Sequence, residues 1–242
     1  TPSHGKLRAI AKGVRRPSSR KSGHLDLYMR ADVLLSRGRN LYIVTQAQTI
    51  DAYRQLREDL VRSSYASCSV ELLDSFTPDG DPNIDLYWLL EKMLTRISVS
   101  NNLSIAMRHY ELHLLEMVGF RPELEFCLGN NELIQPEDQY FDAIAGGVIC
   151  PNCGSGQSNV WPVSMDTLKL MRFLQRNTYS SIQNLTVRTE VASELEKIQL
   201  HYITVQLEKQ LKSVDFLDRV RRLSSNGLDE TIRVVQNANQ FE

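Results

Sequence analysis

The apolar residues of this 242-residue chain change their period near Asp51, and this change limits the folds that the chain can adopt. Before Asp51 they alternate with polar residues in "GKLRAIAKG", "LDLYMRADVLLS" and "LYIVTQAQTI", a pattern that predicts β-strands. After Asp51 they recur at helical spacing, as in Leu86, Leu89, Leu90, Met93 and Ile97. The sequence therefore predicts an α+β protein, in which a β-rich head precedes a bundle of amphipathic helices.

Further helices are predicted along the rest of the chain. The pattern of Met107, Tyr110, Leu114 and Val118 predicts one helix, and that of Leu168, Met171 and Leu174 a shorter one. Residues 189 to 222 carry two apolar stripes, which predict one long helix with neighbours on two sides. Weak periodicity after Ser224 predicts a mobile tail.

Charge is divided unevenly along the chain. Residues 1 to 40 contain ten Lys and Arg against two Asp, a net charge of +8, whereas the remainder has 18 basic against 27 acidic residues, or −9. A basic head on an acidic body indicates a polyanionic partner, because release of condensed counterions supplies much of nucleic-acid affinity. Short strands with basic loops fit an oligonucleotide-binding (OB) barrel.

The stretch "KGVRRPSSRK" concentrates the basic residues around a Pro turn. Cations and Ser hydroxyls together bind a phosphate backbone without reading bases. The head has few aromatic residues beyond Tyr28 and Tyr42. We therefore expect base stacking to contribute little to DNA affinity and this affinity to depend strongly on salt. The predicted DNA-binding residues are Lys6, Arg8, Lys12, Arg15, Arg16, Ser18, Ser19, Arg20 and Lys21.

Two sequence segments resemble the halves of a zinc ribbon in which one ligand is missing. "CLGN" supplies Cys127 with Asn130 in the fourth position, and "CPNC" supplies Cys150 and Cys153. An amide oxygen replaces thiolate poorly on zinc, so the sequence predicts a degenerate insertion that packs through Phe126, Phe141, Val148 and Ile149 without metal. The alternative is a zinc site completed by Glu132, Asp138 or water. Cys68 is predicted to be a small core residue.

Catalytic motifs and membrane segments are not predicted. There is no phosphate loop ending in Lys-Ser/Thr and no Ser elbow, so we expect no enzymatic activity. His109 and His113 have zinc-ligand spacing, but "HYELH" lacks the metalloprotease order, and we interpret them as partly exposed helix residues. No apolar run reaches membrane-spanning length and the start does not resemble a signal peptide, so a cytoplasmic protein is predicted.

Three stretches in this order resemble one family. "TPSHGKLRAIAKGVRRPSSR", "RHYELHLLEMVGFRPELEFC" and "GGVICPNC" are similar to segments of the bacterial RecO recombination mediators. The resemblance implies an OB barrel joined to a helical domain with a zinc-finger-like insertion. Family members begin earlier, with the first strands of the barrel, so we expect the barrel to be truncated at Thr1. Asn130 stands where the family has the second cysteine of the first knuckle, so the resemblance implies the insertion's fold with a degenerate metal site.

This resemblance gives the expected domain organisation. The OB domain is predicted at 1–52, the helical domain at 53–120 and 161–223, the insertion at 121–160 and the mobile tail at 224–242.

The resemblance also implies function and partners. RecO-like proteins bind and anneal single-stranded and double-stranded DNA, act with RecR, and help RecA replace the single-stranded-DNA-binding protein, whose acidic tail they contact. Such a tail needs an apolar pocket beside a cation. The expected site is Arg108 with Leu112 and Leu115. Two alternatives remain open from the residues: a protein-interaction adaptor, and an RNA-binding OB-fold protein.

Overall fold

The computed structural model describes residues 1–16 and 19–223, and its head contains a three-stranded sheet. The strands are β1 (Ala9–Ile10), β2 (Arg30–Ser36) and β3 (Tyr42–Asp51), in the order β1-β3-β2. β2 and β3 form an antiparallel hairpin, while β1 runs parallel to β3. The β-rich head is therefore confirmed, but these described residues do not show a closed barrel.

Helices begin where the apolar period changes. They are α1 (Arg54–Glu58), α2 (Leu60–Phe76), α3 (Ile84–Val99) and α4 (Leu103–Met117). Side chains define the starts of the long ones, because Asp59, Asn83 and Asn102 each accept a hydrogen bond from a backbone N–H of the first turn. The predicted helices around Leu89 and Tyr110 are thus confirmed. No helix among the described residues is long and apolar enough to cross a membrane.

Helix α4 lies at the centre of the helical body. Every residue from Ile105 to Leu112 is buried, and so are Leu114 and Leu115. Its neighbours include α2, whose Ser69 carbonyl accepts a hydrogen bond from the Tyr110 hydroxyl at 2.9 Å. The polar and charged side chains of a helix that is buried on all sides need hydrogen-bond or ion-pair partners inside the protein.

A second small sheet follows α4. It comprises β4 (Gln139–Asp142), β5 (Gly147–Ile149) and β6 (Val160–Val163) in the order β5-β4-β6, with the short helix α5 (Pro151–Gly154) between β5 and β6. The turn from β4 to β5 is fixed by Asp142, whose Oδ1 accepts the N–H groups of Ile144 and Ala145. Gly146 in this turn has φ +80°, and a Cβ there would lie 2.9 Å from the Tyr202 hydroxyl, so only glycine fits.

The final helices are α6 (Met165–Arg176), α7 (Tyr179–Ile182) and α8 (Thr189–Leu207). The prediction of one helix from 189 to 222 was wrong, because α8 ends at Leu207 and Glu208 adopts left-handed φ +53°. Residues 212–223 form a separate helical stretch. Its first N–H groups, from Lys212 and Ser213, donate to the Glu71 carboxylate at 3.0 and 2.7 Å. The tail predicted at 224–242 lies outside the described residues.

Replacing Glu71 by Gln should loosen the 212–223 stretch. Burial alone would raise the pKa of Glu71, but the hydrogen bonds from Ser213 and Lys212 outweigh it and lower that pKa. We expect the free energy of unfolding in urea to fall by about 1 kcal/mol, the usual cost of a lost helix cap. A lowered carboxyl pKa stabilises the fold above the unfolded-state pKa, and this is lost as pH falls through the folded-state value. The difference between parent and variant should therefore shrink in acid.

The matched control is Glu58→Gln, which removes the same charge from an exposed side chain. It should change the free energy of unfolding by less than about 0.5 kcal/mol. Equal losses in the two variants would contradict a capping role for Glu71.

Candidate functional site

The basic turn, residues 12–16 and 19–21 between β1 and β2, exposes cations that have no acidic partner among the described residues. Its backbone forms successive turns, with Arg16 N–H donating to Gly13 O and Ser19 N–H to Arg16 O. Lys12, Arg15, Arg16 and Arg20 are exposed, and within 1–16 and 19–223 none of them makes an ion pair. We call these four residues the open cations. Because no neighbouring carboxylate competes, their charge is available to an anionic ligand.

Three other cations of the predicted DNA-binding set bind acidic side chains or backbone carbonyls of the protein itself. Lys6 Nζ lies 2.9 Å from Asp74 Oδ1 and donates to two carbonyls at the end of α2, and Arg8 Nε lies 2.8 Å from Asp79 Oδ2. Lys21 Nζ donates to the carbonyl of Val44 on β3 at 3.0 Å. These contacts join the head to the helical body and fix the basic turn on the sheet.

The predicted DNA-binding set also contains two serines, Ser18 and Ser19. Ser18 lies outside the described residues. Ser19 Oγ accepts the N–H of Lys21 at 3.3 Å, which leaves its hydroxyl proton free to donate.

Exposed Arg37 and Arg39, in the turn after β2, were not among the predicted site residues. Neither makes an ion pair in the part of the chain that the structure describes. The excess of basic residues in positions 1 to 40 is the sequence feature that could have identified these two arginines as candidate DNA-binding residues.

Three thiols converge in the insertion. The Sγ atoms of Cys127, Cys150 and Cys153 all lie within 4.8 Å of one another. Backbone N–H groups of Gly129 and Cys150 donate to Cys127 Sγ at 3.4 and 3.2 Å. Burial opposes ionisation of Cys127, but these hydrogen bonds outweigh it and lower its pKa to about 7. Because the three Sγ atoms lie so close together, the cluster could hold a metal ion.

The side chain of Asn130 does not offer its oxygen to this cluster. Asn130 Oδ1 accepts the N–H of Glu132, while Nδ2 donates to the Glu132 carboxylate at 2.8 Å and lies 4.0 Å from Cys150 Sγ. Asp138 is engaged elsewhere, since its Oδ1 accepts the N–H of Met165 at the start of α6. Within the described residues, neither Glu132 nor Asp138 belongs to the thiol cluster.

Packing of the insertion follows the sequence prediction in part. Phe141, Val148 and Ile149 are buried, and the Phe141 ring meets Tyr202 of α8 edge-on at 5.4 Å. Phe126 is 45% exposed, so its assignment to this core was wrong. The insertion thus has an apolar core that is continuous with the helical body.

Arg108, Leu112 and Leu115 do not line an open pocket. They are 4%, 1% and 0% exposed, because α4 is buried on all sides. The Arg108 guanidinium lies 3.0 Å from Glu111 and 3.6 Å from Glu196 of α8. In this structure the three residues predicted to bind the acidic tail are therefore buried in the helical body.

The stretch 212–223 covers this buried charge. Arg221 Nη1 lies 2.8 Å from Glu196 Oε1, so Glu196 bridges Arg108 and Arg221. Leu211, Val214 and Leu217 line a cavity of about 20 Å³ beside Arg108. Such a cavity has no room for a peptide.

His109 is buried more deeply than predicted. It is 3% exposed, its ring centroid lies 4.1 Å from that of His113 with the two rings tilted, and its Nε2 lies 3.0 Å from the carbonyl oxygen of Asn177. Burial, then His113, lower the pKa of His109 to about 4. His109 is therefore a neutral core residue, whereas His113 is partly exposed as predicted.

Comparison with known proteins identifies the family. Residues 1–53 match the family model described as "Recombination protein O N terminal", and residues 57–215 match "Recombination protein O C terminal". The chain is 35% identical to the DNA repair protein RecO of Dehalococcoides mccartyi, over 91% of this chain and 87% of that protein. It is 35% identical to the RecO of Pelotomaculum thermopropionicum, over 89% and 84% of the two chains. For the RecO of Roseiflexus sp., the identity is 32% over 90% and 77%. Both halves of the chain match, and the chain therefore belongs to the RecO family of DNA repair proteins.

Proposed function

We propose that this protein is a recombination mediator that binds single-stranded DNA through phosphates and promotes its annealing. The observation that carries the proposal is the group of open cations in a RecO-family head. Cations without acidic partners attract a phosphate backbone independently of sequence. The sheet β1-β3-β2 would be part of an OB barrel, whose strand face and loops hold single strands. Enzymatic turnover is not part of the proposal.

Double-stranded DNA would be a second ligand, and RecR and the single-stranded-DNA-binding protein would be the protein partners. With RecR, the protein would help RecA to replace the single-stranded-DNA-binding protein on gapped DNA. The acidic tail of the single-stranded-DNA-binding protein would contact this protein through its terminal carboxylate. For Arg108 to pair with that carboxylate, residues 211–217 would have to leave the position they occupy beside it.

For the cysteine insertion we propose a fold that does not require metal. Its support is the buried packing of Phe141 and Val148, together with the commitment of Asn130 Oδ1 to a backbone N–H. If zinc binds, Cys127, Cys150 and Cys153 would hold it and a water would complete the tetrahedron.

Replacing Arg15 and Arg16 together by Ala should weaken DNA binding and reduce its salt dependence. If the open cations neutralise four phosphates, log affinity should fall against log salt with a slope of about −3 for single strands, and the double variant should flatten it by about one to two units. The measurement is a salt titration by filter binding, with single-stranded DNA and RNA of mixed sequences. The loss should be equal for all DNA sequences.

Lys169→Ala with Lys197→Ala is the matched control, since it removes two exposed charges from α6 and α8. This control should keep the parental slope. A folded Arg15/Arg16 variant with parental affinity and slope would contradict the proposed site and favour the adaptor function. Tighter binding of RNA than of DNA would favour the RNA-binding alternative.

Elemental analysis of the protein purified without chelator tests the cysteine cluster. We expect well below one zinc per chain, because three thiols without a fourth protein ligand make an incomplete structural site. The zinc content of a Cys150→Ser variant gives the background. Close to one zinc per parental chain, lost in this variant, would show that the cluster is a metal site.

Replacing Arg108 by Ala should destabilise the whole fold. The change leaves the buried carboxylate of Glu111 and the half-buried carboxylate of Glu196 without this cation, and breaking a buried ion pair costs about 3–5 kcal/mol. Urea unfolding measures the loss. Arg121→Ala removes an exposed partner of Glu116 and should cost less than about 1 kcal/mol. A loss as small for Arg108→Ala would show that Arg108 is not needed in the core and can serve a ligand.

A further inference from the structure

Two cysteines of the insertion lie in one helical turn. Cys150 immediately precedes α5, and Cys153 lies within it. The N–H groups of Cys153 and Gly154 donate to the Cys150 carbonyl at 3.1 and 2.9 Å. The rise and radius of such a turn put the Cα atoms of residues three apart at about 5 Å. Because the Cα atoms of a disulfide lie about 4.4–6.8 Å apart, the backbone places this pair within range of a disulfide.

The sulfur atoms of this pair are also close. The Sγ atoms of Cys150 and Cys153 lie within 4.8 Å of each other, and both residues are free thiols. An S–S bond is about 2.05 Å long, so rotation of the side chains must bring the sulfurs together. Both residues are half-buried, so a small oxidant can reach them.

Cys127, the third thiol of the cluster, differs from this pair in burial and hydrogen bonding. It is 1% exposed, and its Sγ accepts the N–H groups of Gly129 and Cys150 at 3.4 and 3.2 Å. A disulfide to Cys127 would turn its sulfur away from these donors, and a buried N–H that loses its acceptor is costly. Cys150 and Cys153 are therefore the favoured pair.

The donor set of the cluster suits thiol chemistry better than a closed metal site. Within the part of the chain that the structure describes, the cluster contains three thiols and no carboxylate or imidazole. The oxygen of Asn130 is already bound to the Glu132 N–H. When an accessible thiol lies beside a second thiol, its oxidation ends at a disulfide, because the second sulfur resolves the first product.

We propose that Cys150 and Cys153 are a site of reversible oxidation, at which a peroxide converts the two thiols to a disulfide while Cys127 stays a thiol. The proposal rests on the metal-free insertion proposed above, in which no ion occupies these sulfurs. It assigns a covalent modification to a cluster that would otherwise only fill space.

The reaction balances with hydrogen peroxide as the oxidant. The sulfur of one thiol attacks a peroxide oxygen, so that an S–O bond forms, the O–O bond breaks, and the released hydroxide leaves as water with the thiol proton. The second sulfur then attacks the sulfenic acid, so that the S–S bond forms and the hydroxyl leaves as water with the second proton. Two electrons pass from the thiols to the peroxide. A dithiol such as dithiothreitol reverses the reaction by exchange and is itself oxidised to a cyclic disulfide.

Peptide mapping after peroxide treatment tests the pair. Excess peroxide is removed with catalase, free thiols are alkylated, and the unfolded protein is cut by a Glu-specific protease under non-reducing conditions. Cleavage after Glu132 and Glu137 separates Cys127 from the peptide that contains both Cys150 and Cys153. We expect that peptide to lose two hydrogen atoms and to resist alkylation. Cys127 and the buried Cys68 should be alkylated once the protein is unfolded.

Dithiothreitol added before alkylation should make all four cysteines of the chain reactive again. Two peptides joined through Cys127, or four alkylated cysteines after peroxide, would overturn the proposal.

Single serine variants provide the matched controls. Cys127→Ser should still form the disulfide, whereas Cys150→Ser and Cys153→Ser should each lose it. Circular dichroism establishes that each variant is folded. A folded Cys127→Ser variant that forms no disulfide would show that Cys127 takes part in the reaction, and the assignment to Cys150 and Cys153 would be wrong.

The zinc content of the same samples separates this proposal from the metal-free insertion. A zinc-free parent that forms no disulfide overturns the disulfide alone. A parent that holds close to one zinc per chain and keeps its thiols reduced in peroxide overturns both. If peroxide releases that zinc as the disulfide between Cys150 and Cys153 forms, only the metal-free insertion is overturned.

Discussion

The helical body depends on neutralising a charge in its own centre. Helix α4 is buried on all sides, and it carries Arg108 inward to Glu111 and Glu196. An uncompensated ion in the core costs several kcal/mol, and α8 supplies the second carboxylate beside this guanidinium. Arg221 then pairs with Glu196, which draws the stretch 212–223 against the bundle. One buried guanidinium thus fixes the relative positions of three helical segments.

The head uses its positive charge in two distinct ways. Lys6 and Arg8 bind carboxylates at the end of α2 and in the loop after it, so they attach the head to the body. The open cations form no ion pair within residues 1–16 and 19–223, so their charge is available for phosphates.

Packing and hydrogen bonds position the three cysteines of the insertion. Its sheet packs Phe141 against Tyr202 of α8, so its apolar core is anchored to the bundle. Hydrogen bonds from Gly129 and Cys150 hold Cys127 in place. Asn130 completes the local loop through Glu132 instead of offering its oxygen to the thiols.

The sequence by itself determined the α+β class, the change near Asp51, the helices around Leu89 and Tyr110, the meeting of the three cysteines and the family. Each of these features depends on local periodicity, on short spacing between residues or on the order of motifs, all of which can be read directly from the amino-acid sequence. Only the tertiary structure decided which cations are paired, that Arg108 is buried, and that the helix from Thr189 stops at Leu207. Those outcomes depend on groups distant in sequence, such as Asp74 for Lys6, Glu196 for Arg108 and Glu71 for Ser213. Charge and hydropathy along the chain do not reveal such partners, because only packing brings them within hydrogen-bonding distance.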